Sequence, residues 1–373
     1  MIKKICFLLL SIVIIFSNST YNAKAYSAAS YCLYDPVLKK VITSYNMNKK
    51  LSMASTTKIM TALIACEICD LSEIIEIEDK MIAVEGSSIG LQVGDKISYE
   101  SLLYGLMLES GNDAALSIAI GISGSQKNFA SLMNEKAKQI GMKNTNFVTP
   151  NGLDDEFHYS TAYDMAVLSG FAMNNKKFAQ IVGTKNYKSV YNNGETHRTY
   201  YNHNRLLSSL EGAEGIKTGF TKKSGRCLVT SCSRNGVRLI AVTLNDGNDW
   251  KDHRDLYDYG FKQYESVTLP KTNKYISVVG GKKAEIKVES VDNDIYFYHG
   301  LYSDIKHKIY IPKFVYAPVK KGEKIGWVEY YYQGQTIAKA DVLALENVKT
   351  KKYKKETKFK KIIKIIILML NTQ

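Results

Sequence analysis

A serine and a lysine three residues apart, in Ser55-Thr56-Thr57-Lys58, stand at the start of a stretch in which Ile59, Met60, Leu63, Ile64 and Ile68 recur at three- and four-residue spacing. That periodicity predicts a buried helix beginning near Ser55 and running to Cys69. On such a helix the hydroxyl and the amine share one face, and the helix N-terminus favours negative charge as it develops. A serine hydroxyl attacks a carbonyl only when a neighbouring base takes its proton, and a lysine serves as that base only if its pKa falls well below about 10.4. Burial and a second cation both lower it. Lys217, in Lys217-Thr218-Gly219, supplies such a cation, and Lys217 with Thr218 suits an anionic group such as a carboxylate through one charge and one hydroxyl. Ser110, in Ser110-Gly111-Asn112, is placed to relay a proton to a leaving amine.

Context distinguishes these motifs from chance matches. The S-x-x-K pattern recurs at Ser303–Lys306 and S-x-N at Ser44–Asn46 and Ser233–Asn235. Ser303 lies among short alternating runs and opens no helix. K-T-G occurs once, just before two β-rich runs, Arg226–Ser233 and Val237–Leu244, whose Asn235-Gly236 junction is a strong hairpin signal.

The elements that must carry these residues follow from pattern. Tyr31–Tyr34 and Lys40–Ser44 alternate around Asp35-Pro36 and read as a hairpin. Further helices are expected at Tyr99–Glu109, Asp113–Ile122, Asn128–Ile140 and Ala162–Asn174. Strands, a helical middle and strands again predict an α+β catalytic domain. From Leu269 to Val348 short runs such as Ala284–Val288, Ile295–Tyr298, Lys308–Ile311 and Gly326–Tyr331 predict a separate β-rich domain. The expected organisation is a signal peptide over 1–25, a catalytic domain over 26–264, the β-rich domain over 265–348 and a basic tail over 349–373.

Composition narrows the function classes. The chain has 373 residues, 45% hydrophobic and 23% charged, which suits a folded protein of about two domains. Of the formal charge of +14, residues 1–25 hold +3 and residues 349–373 hold +8, leaving +3 for the body. A nucleic-acid groove needs its basic residues on the folded surface, so no nucleic-acid partner is expected. Lys3 and Lys4, the apolar run Ile5–Phe16 and Ala23-Lys24-Ala25 have the form of a secretory signal cleaved after Ala25, which places the protein outside the cytoplasm. The tail runs from lysines into Ile362–Leu370, too short to span a bilayer and suited to lying in the membrane interface. Five cysteines remain after the signal, an odd number in a chain too large to need staples, so no disulfide framework is expected and Cys66-x-x-Cys69 is read as helix packing.

The residues quoted above now carry a resemblance. Ala54–Leu63 (ASTTKIMTAL), Leu108–Ala115 (LESGNDAA) and Gly215–Thr221 (GIKTGFT), supported by Asn151–Asp155, His158–Ala162 and Asp258–Phe261, resemble the penicillin-binding D-alanyl-D-alanine carboxypeptidases, low-molecular-mass serine peptidases related to β-lactamases. The resemblance covers most of the mature chain. It implies a β-lactamase/transpeptidase-like catalytic domain that removes the terminal D-Ala from peptidoglycan stem pentapeptides, is acylated by β-lactams and needs no cofactor or metal. It implies Ser55 as nucleophile, Lys58 as general base, Ser110 as proton relay, Asn112 on the substrate backbone, and Lys217, Thr218 and Gly219 at the terminal carboxylate. The oxyanion hole would be the backbone N–H groups of Ser55 and Phe220. Some relatives carry His at the position of Phe220, and some an Arg before the last helix of the domain. Asp249–Arg254 has a different pattern, so Arg254 is given no substrate role.

Other readings carry less. Gly86-Ser87-Ser88-Ile89-Gly90 matches G-x-S-x-G but lacks the preceding strand and following helix that this motif requires. The six histidines form no H-E-x-x-H. A β-lactamase would need a deacylating Glu, and Asp154-Asp155-Glu156 lacks the E-x-x-L-N pattern. An endopeptidase or transpeptidase would use the same residues, and a non-catalytic wall- or membrane-binding scaffold would not need them intact.

Overall fold

The computed structural model describes residues 26–352 and 358–370; the signal segment 1–25 lies outside them. Two units emerge, one built from most residues up to 260 and one from 261 onward together with the turn residues 37–40 and 234–238.

In the first unit the hairpin expected around Asp35-Pro36 forms as β1 (Ser30–Asp35) and β2 (Lys40–Tyr45). Later in the chain come β3 (Ala213–Thr221), β4 (Gly225–Arg234) and β5 (Val237–Leu244). They make one five-stranded sheet in the order β2-β1-β5-β4-β3, so the first strands of the chain pair with the last. β1 runs antiparallel to β5, and β3 antiparallel to β4. The β4–β5 turn uses Asn235 and Gly236 at φ 51° and 78°, the left-handed conformations an Asn-Gly hairpin adopts.

Between β2 and β3 lie α1 (Lys58–Ile68), α2 (Tyr99–Leu108), α3 (Asn112–Ser123), α4 (Gln126–Ile140), α5 (Ala162–Ala172) and α6 (Lys176–Gly183). α1 is buried on nearly every side, with Lys58 through Ala65 all inaccessible. It is the hub against which the other helices and the sheet pack into one apolar core. Cys66 and Cys69 sit at its end, half-buried against that core, and their thiols are free. The helix α7 (Asp249–Phe261) follows β5.

The second unit is β-rich. β6 (Tyr264–Thr268) pairs with β9 (Asp294–Tyr298), and a six-stranded sheet has the order β10-β12-β13-β8-β7-β11. Its strands are β7 (Asn273–Val279), β8 (Glu285–Ser290), β10 (Lys306–Tyr310), β11 (Phe314–Tyr316), β12 (Lys324–Tyr332) and β13 (Gln335–Ala344). Alternate residues such as Ile276, Val278, Ile286, Val288, Val328 and Val342 form its own core. The molecule is therefore α+β with a separate β-rich C-terminal domain. The second S-x-x-K ends on β10, with Ser303 in a short turn before it. The tail contains a 13-residue helix, α8 (Lys358–Leu370), with Ile362 to Met369 exposed. Among the described residues no helix is long and apolar enough to cross a membrane.

Candidate active site

The segment around Ser55 departs from the helix predicted for it. Ala54–Thr57 is a 3₁₀ turn, and the α-helix begins only at Lys58. Ala54 has φ 48°, and the Thr56 N–H donates to the Met53 carbonyl at 3.2 Å, so the chain enters tightly wound. The tighter turn has a chemical consequence. With three residues per turn, side chains three apart eclipse. Lys58 Nζ accordingly lies 2.9 Å from Ser55 Oγ.

Two other groups hold the amine. Lys58 donates to Asn112 Oδ1 at 2.7 Å and to the Asn151 carbonyl at 2.8 Å. Both partners are acceptors. A neutral amine has two hydrogens and one lone pair, so with both hydrogens spent on Asn112 and Asn151 the lone pair faces the Ser55 hydroxyl. The amine is favoured in that form because burial, and then the charge of Lys217, pull its pKa well below the usual lysine range, with Asp113 acting in the opposite sense. Lys217 is itself buried on β3, and its pKa is pulled down to about 7 by desolvation, with Glu109 opposing. The two lysines predicted from sequence to share one serine site do so.

The K-T-G glycine explains itself by proximity. A Cβ on Gly219 would stand 3.0 Å from the Ser55 nitrogen and 3.1 Å from that of Thr56, so a side chain there would crowd those two amides. Gly152 is tighter still. At φ +86° its Cβ would fall 1.9 Å from the Ala54 carbonyl oxygen. The loop that carries it also supplies the Asn151 carbonyl to Lys58, and the Pro150 carbonyl accepts from Thr61 Oγ1 at 2.6 Å.

His158 fixes the same loop to the Ala54–Thr57 turn. Its Nδ1 accepts from Val148 N at 2.9 Å and Thr149 N at 3.3 Å, so the ring proton sits on Nε2, which donates to Thr57 Oγ1 at 2.8 Å. Burial keeps this ring neutral, with its pKa lowered to about 4.

On the opposite wall, Ser110 occupies the turn between α2 and α3 at φ 63°. Asn112 opens α3 with both ends of its amide engaged, Oδ1 by Lys58 and Nδ2 by the Glu85 carbonyl at 2.6 Å. Its oxygen is therefore taken by the Lys58 amine. Asp113, next in sequence, takes the backbone N–H groups of Ile89, Gly90 and Leu91 and the Ser88 hydroxyl onto one carboxylate. Ser88 of the G-x-S-x-G match is thus a loop residue engaged by an aspartate. Among the described residues no cluster of His, Cys, Asp or Glu is arranged to hold a metal ion.

A pocket of about 530 Å³ opens over Ser55, Ser110, Thr218, Gly219 and Phe220, with Arg226, Asp249 and Trp250 along its rim. Residues 17–248 match the family model of the D-alanyl-D-alanine carboxypeptidases, and residues 264–350 that of the C-terminal domain of penicillin-binding protein 5. The chain belongs to the D-alanyl-D-alanine carboxypeptidase family. It is a serine-type peptidase, a DD-carboxypeptidase of the penicillin-binding proteins. It is similar to D-alanyl-D-alanine carboxypeptidase DacF of Bacillus subtilis, at 33% identity over 87% of each chain, and to DacC of Escherichia coli, at 31% identity over 89% of this chain and 87% of the relative. Among solved structures it is similar to penicillin-binding protein 5 of Haemophilus influenzae, with TM-score 0.62 and 28% identity over 87% of this chain and 98% of the other. The Streptomyces K15 DD-transpeptidase matches over 64% of this chain and 98% of its own, with TM-score 0.60 and 31% identity.

For this carboxypeptidase several site residues escape a motif reading. Asp113, beside the S-x-N motif, and the Asn151 carbonyl, Gly152 and His158, within the supporting stretches, shape the site, and nothing in their spacing marks them. Arg254 lies outside the pocket lining, with Nη2 2.8 Å from Ser209 Oγ. Two arginines line the pocket, Arg205 and Arg226, and the one across the ladder from Phe220 is Arg226, which nothing in its ordinary β-rich run marks out.

Proposed function

We propose that the enzyme cleaves the last peptide bond of peptidoglycan stem peptides ending in D-Ala-D-Ala through an acyl-enzyme on Ser55, and that β-lactams acylate the same oxygen. The observation that carries this reading is the Ser55–Lys58 contact, with the amine's other two directions closed by carbonyl acceptors. Neutral Lys58 takes the Ser55 proton as Oγ attacks the carbonyl carbon. The resulting oxyanion is received by the Ser55 and Phe220 N–H groups, where Gly219 lets β3 approach the nucleophile's amides. The proton passes through Ser110 to the departing amine, D-Ala leaves, and water then attacks the ester, its proton returning to Ser55. Thr218 and Lys217 face the substrate's terminal carboxylate, and Asn112 orients the base.

Cleavage after Ala25 would deliver the protein to the outer face of the cytoplasmic membrane. α8 would hold it there with lysines among headgroups and Ile362–Met369 in the acyl layer. The exposed apolar run of that helix supports this reading. Deleting residues 349–373 should release the protein from membranes while activity on a soluble peptide persists; continued membrane association would refute the anchor.

The central test is Ser55→Ala, assayed by mass for D-Ala release from a defined pentapeptide and for covalent capture of a penicillin. Both should vanish. Release that survives the substitution would remove the mechanism, and no release by the unmutated enzyme would favour a scaffold.

A further inference from the structure

A peptide carboxylate needs a counter-charge that persists at neutral pH. Lys217, buried and with its pKa pulled down to about 7, supplies that charge only in part. Arg226 is a better one. It stands on β4 directly across the ladder from Phe220, and Phe220 is two residues beyond Thr218 on β3. Side chains two apart on a strand share a face, as do directly opposed partners, so Thr218, Phe220 and Arg226 follow one side of the ribbon. All three line the pocket.

The guanidinium is braced from behind. Its Nε lies 3.0 Å from Asp249 Oδ2 and its Nη2 2.7 Å from Asp249 Oδ1, a two-point pair with a carboxylate only 5% exposed at the start of α7. The Trp250 ring centre is 5.9 Å from the guanidinium carbon. The Asp249 contacts keep the Arg226 charge on more firmly than usual. They occupy Nε and one N–H of Nη2, and Nη1 has no acceptor among the described residues. A planar cation held along one edge, with its other edge on a pocket, is suited to a second carboxylate.

We infer that Arg226, braced by Asp249 and Trp250, is the specificity-determining residue that reads the free carboxylate of the departing D-alanine. The inference rests on the carboxypeptidase reading above and adds the residue that makes a free C-terminus the preferred substrate. The charge comes from β4, not from Arg254 on α7.

The test compares one peptide ending in D-Ala-D-Ala as the free acid and as the C-terminal amide, with full-length enzyme and its Arg226→Gln variant. Wild type should prefer the acid by about ten- to a hundredfold in kcat/KM, the range of a hydrogen bond to a charged group. Arg226→Gln should lose that factor on the acid and leave the amide unchanged. Equal losses on both peptides, or no wild-type preference, would overturn the inference. Because Arg226→Gln strands a buried carboxylate, the double variant Arg226→Gln/Asp249→Asn removes both charges together and should show the same loss of preference. A measurement that leaves Arg226 in place is protection from an arginine-selective dicarbonyl in the Ser55→Ala protein. The acid peptide should slow modification of Arg226 and the amide should not, and equal protection counts against the proposal. A wild-type enzyme that releases no product from either peptide instead refutes the carboxypeptidase reading itself.

Discussion

Asp113→Asn probes the support under the site without touching the reacting groups. One Asp113 oxygen receives Ser88 Oγ at 2.5 Å, Ile89 N at 3.0 Å, Gly90 N at 3.0 Å and Leu91 N at 3.2 Å, and the other receives Ala114 N at 2.9 Å and shares Ile89 N. An amide offers one oxygen, so its NH₂ must face a donor. The best orientation keeps the four loop donors on a neutral acceptor and abandons Ala114 N. Hydrogen bonds to a charged group are worth about 1 kcal/mol more than neutral ones. Four such downgrades, discounted for exposed Ser88 and half-buried Gly90, destabilise the catalytic unit by about 2–4 kcal/mol. Urea unfolding reads the total, and hydrogen exchange at residues 88–91 locates it. Activity should fall as well, because Ser87 lines the pocket and its carbonyl accepts from Asn112 N at 2.7 Å. A second signature has an independent sign. Asp113 raises the pKa of Lys58, so removing its charge lowers that pKa further, and the acid limb of penicillin acylation should move to lower pH. Unchanged loop exchange with an unchanged urea midpoint, or an acid limb that moves upward, would refute the reasoning.

Two further outcomes follow from the same geometry. Gly152→Ala drives a methyl into the Ala54 carbonyl at a left-handed backbone position, so penicillin acylation should drop at least about tenfold even where thermal melting shows the protein folded; an unaltered acylation rate contradicts it. His158 and His253 are buried neutral, with pKa values lowered by burial to about 4 and about 3. Between those values and about 6.5 the unfolded chain binds protons that the fold does not, so stability is intact above about pH 6.5 and falls as pH drops, by roughly 2 kcal/mol per histidine at pH 5. A urea midpoint that stays flat from pH 7 to pH 5 would contradict this.

The sequence made the scaffold legible where a single periodicity dominated. α1, α2, α3, α4 and α5 lie within a few residues of their predicted spans, and the Asn235-Gly236 hairpin formed as expected. α6 escaped because its eight residues offer too few repeats to stand out from a loop. The 3₁₀ entry at Ala54 was illegible for a different reason, since it depends on Gly152, almost a hundred residues away, making room for the Ala54 carbonyl. At the site, side-chain motifs were readable and backbone contributions were not. A carbonyl such as that of Asn151 leaves no mark in a sequence, and Arg226 gains meaning only from its place across the ladder from Phe220.

β3 is the terminal strand of its sheet, next to β4 on one side only. Most proteins shield such borders, because any extended chain can dock there and seed clumping. Here the border carries Lys217, Thr218 and Gly219, and shielding it would wall off the cleft. Beyond buried Gly215 to Lys217, residues Thr218 to Thr221 of that border reach solvent, so an extended guest bound there would act as a short sixth strand, guarding the fold while it is present.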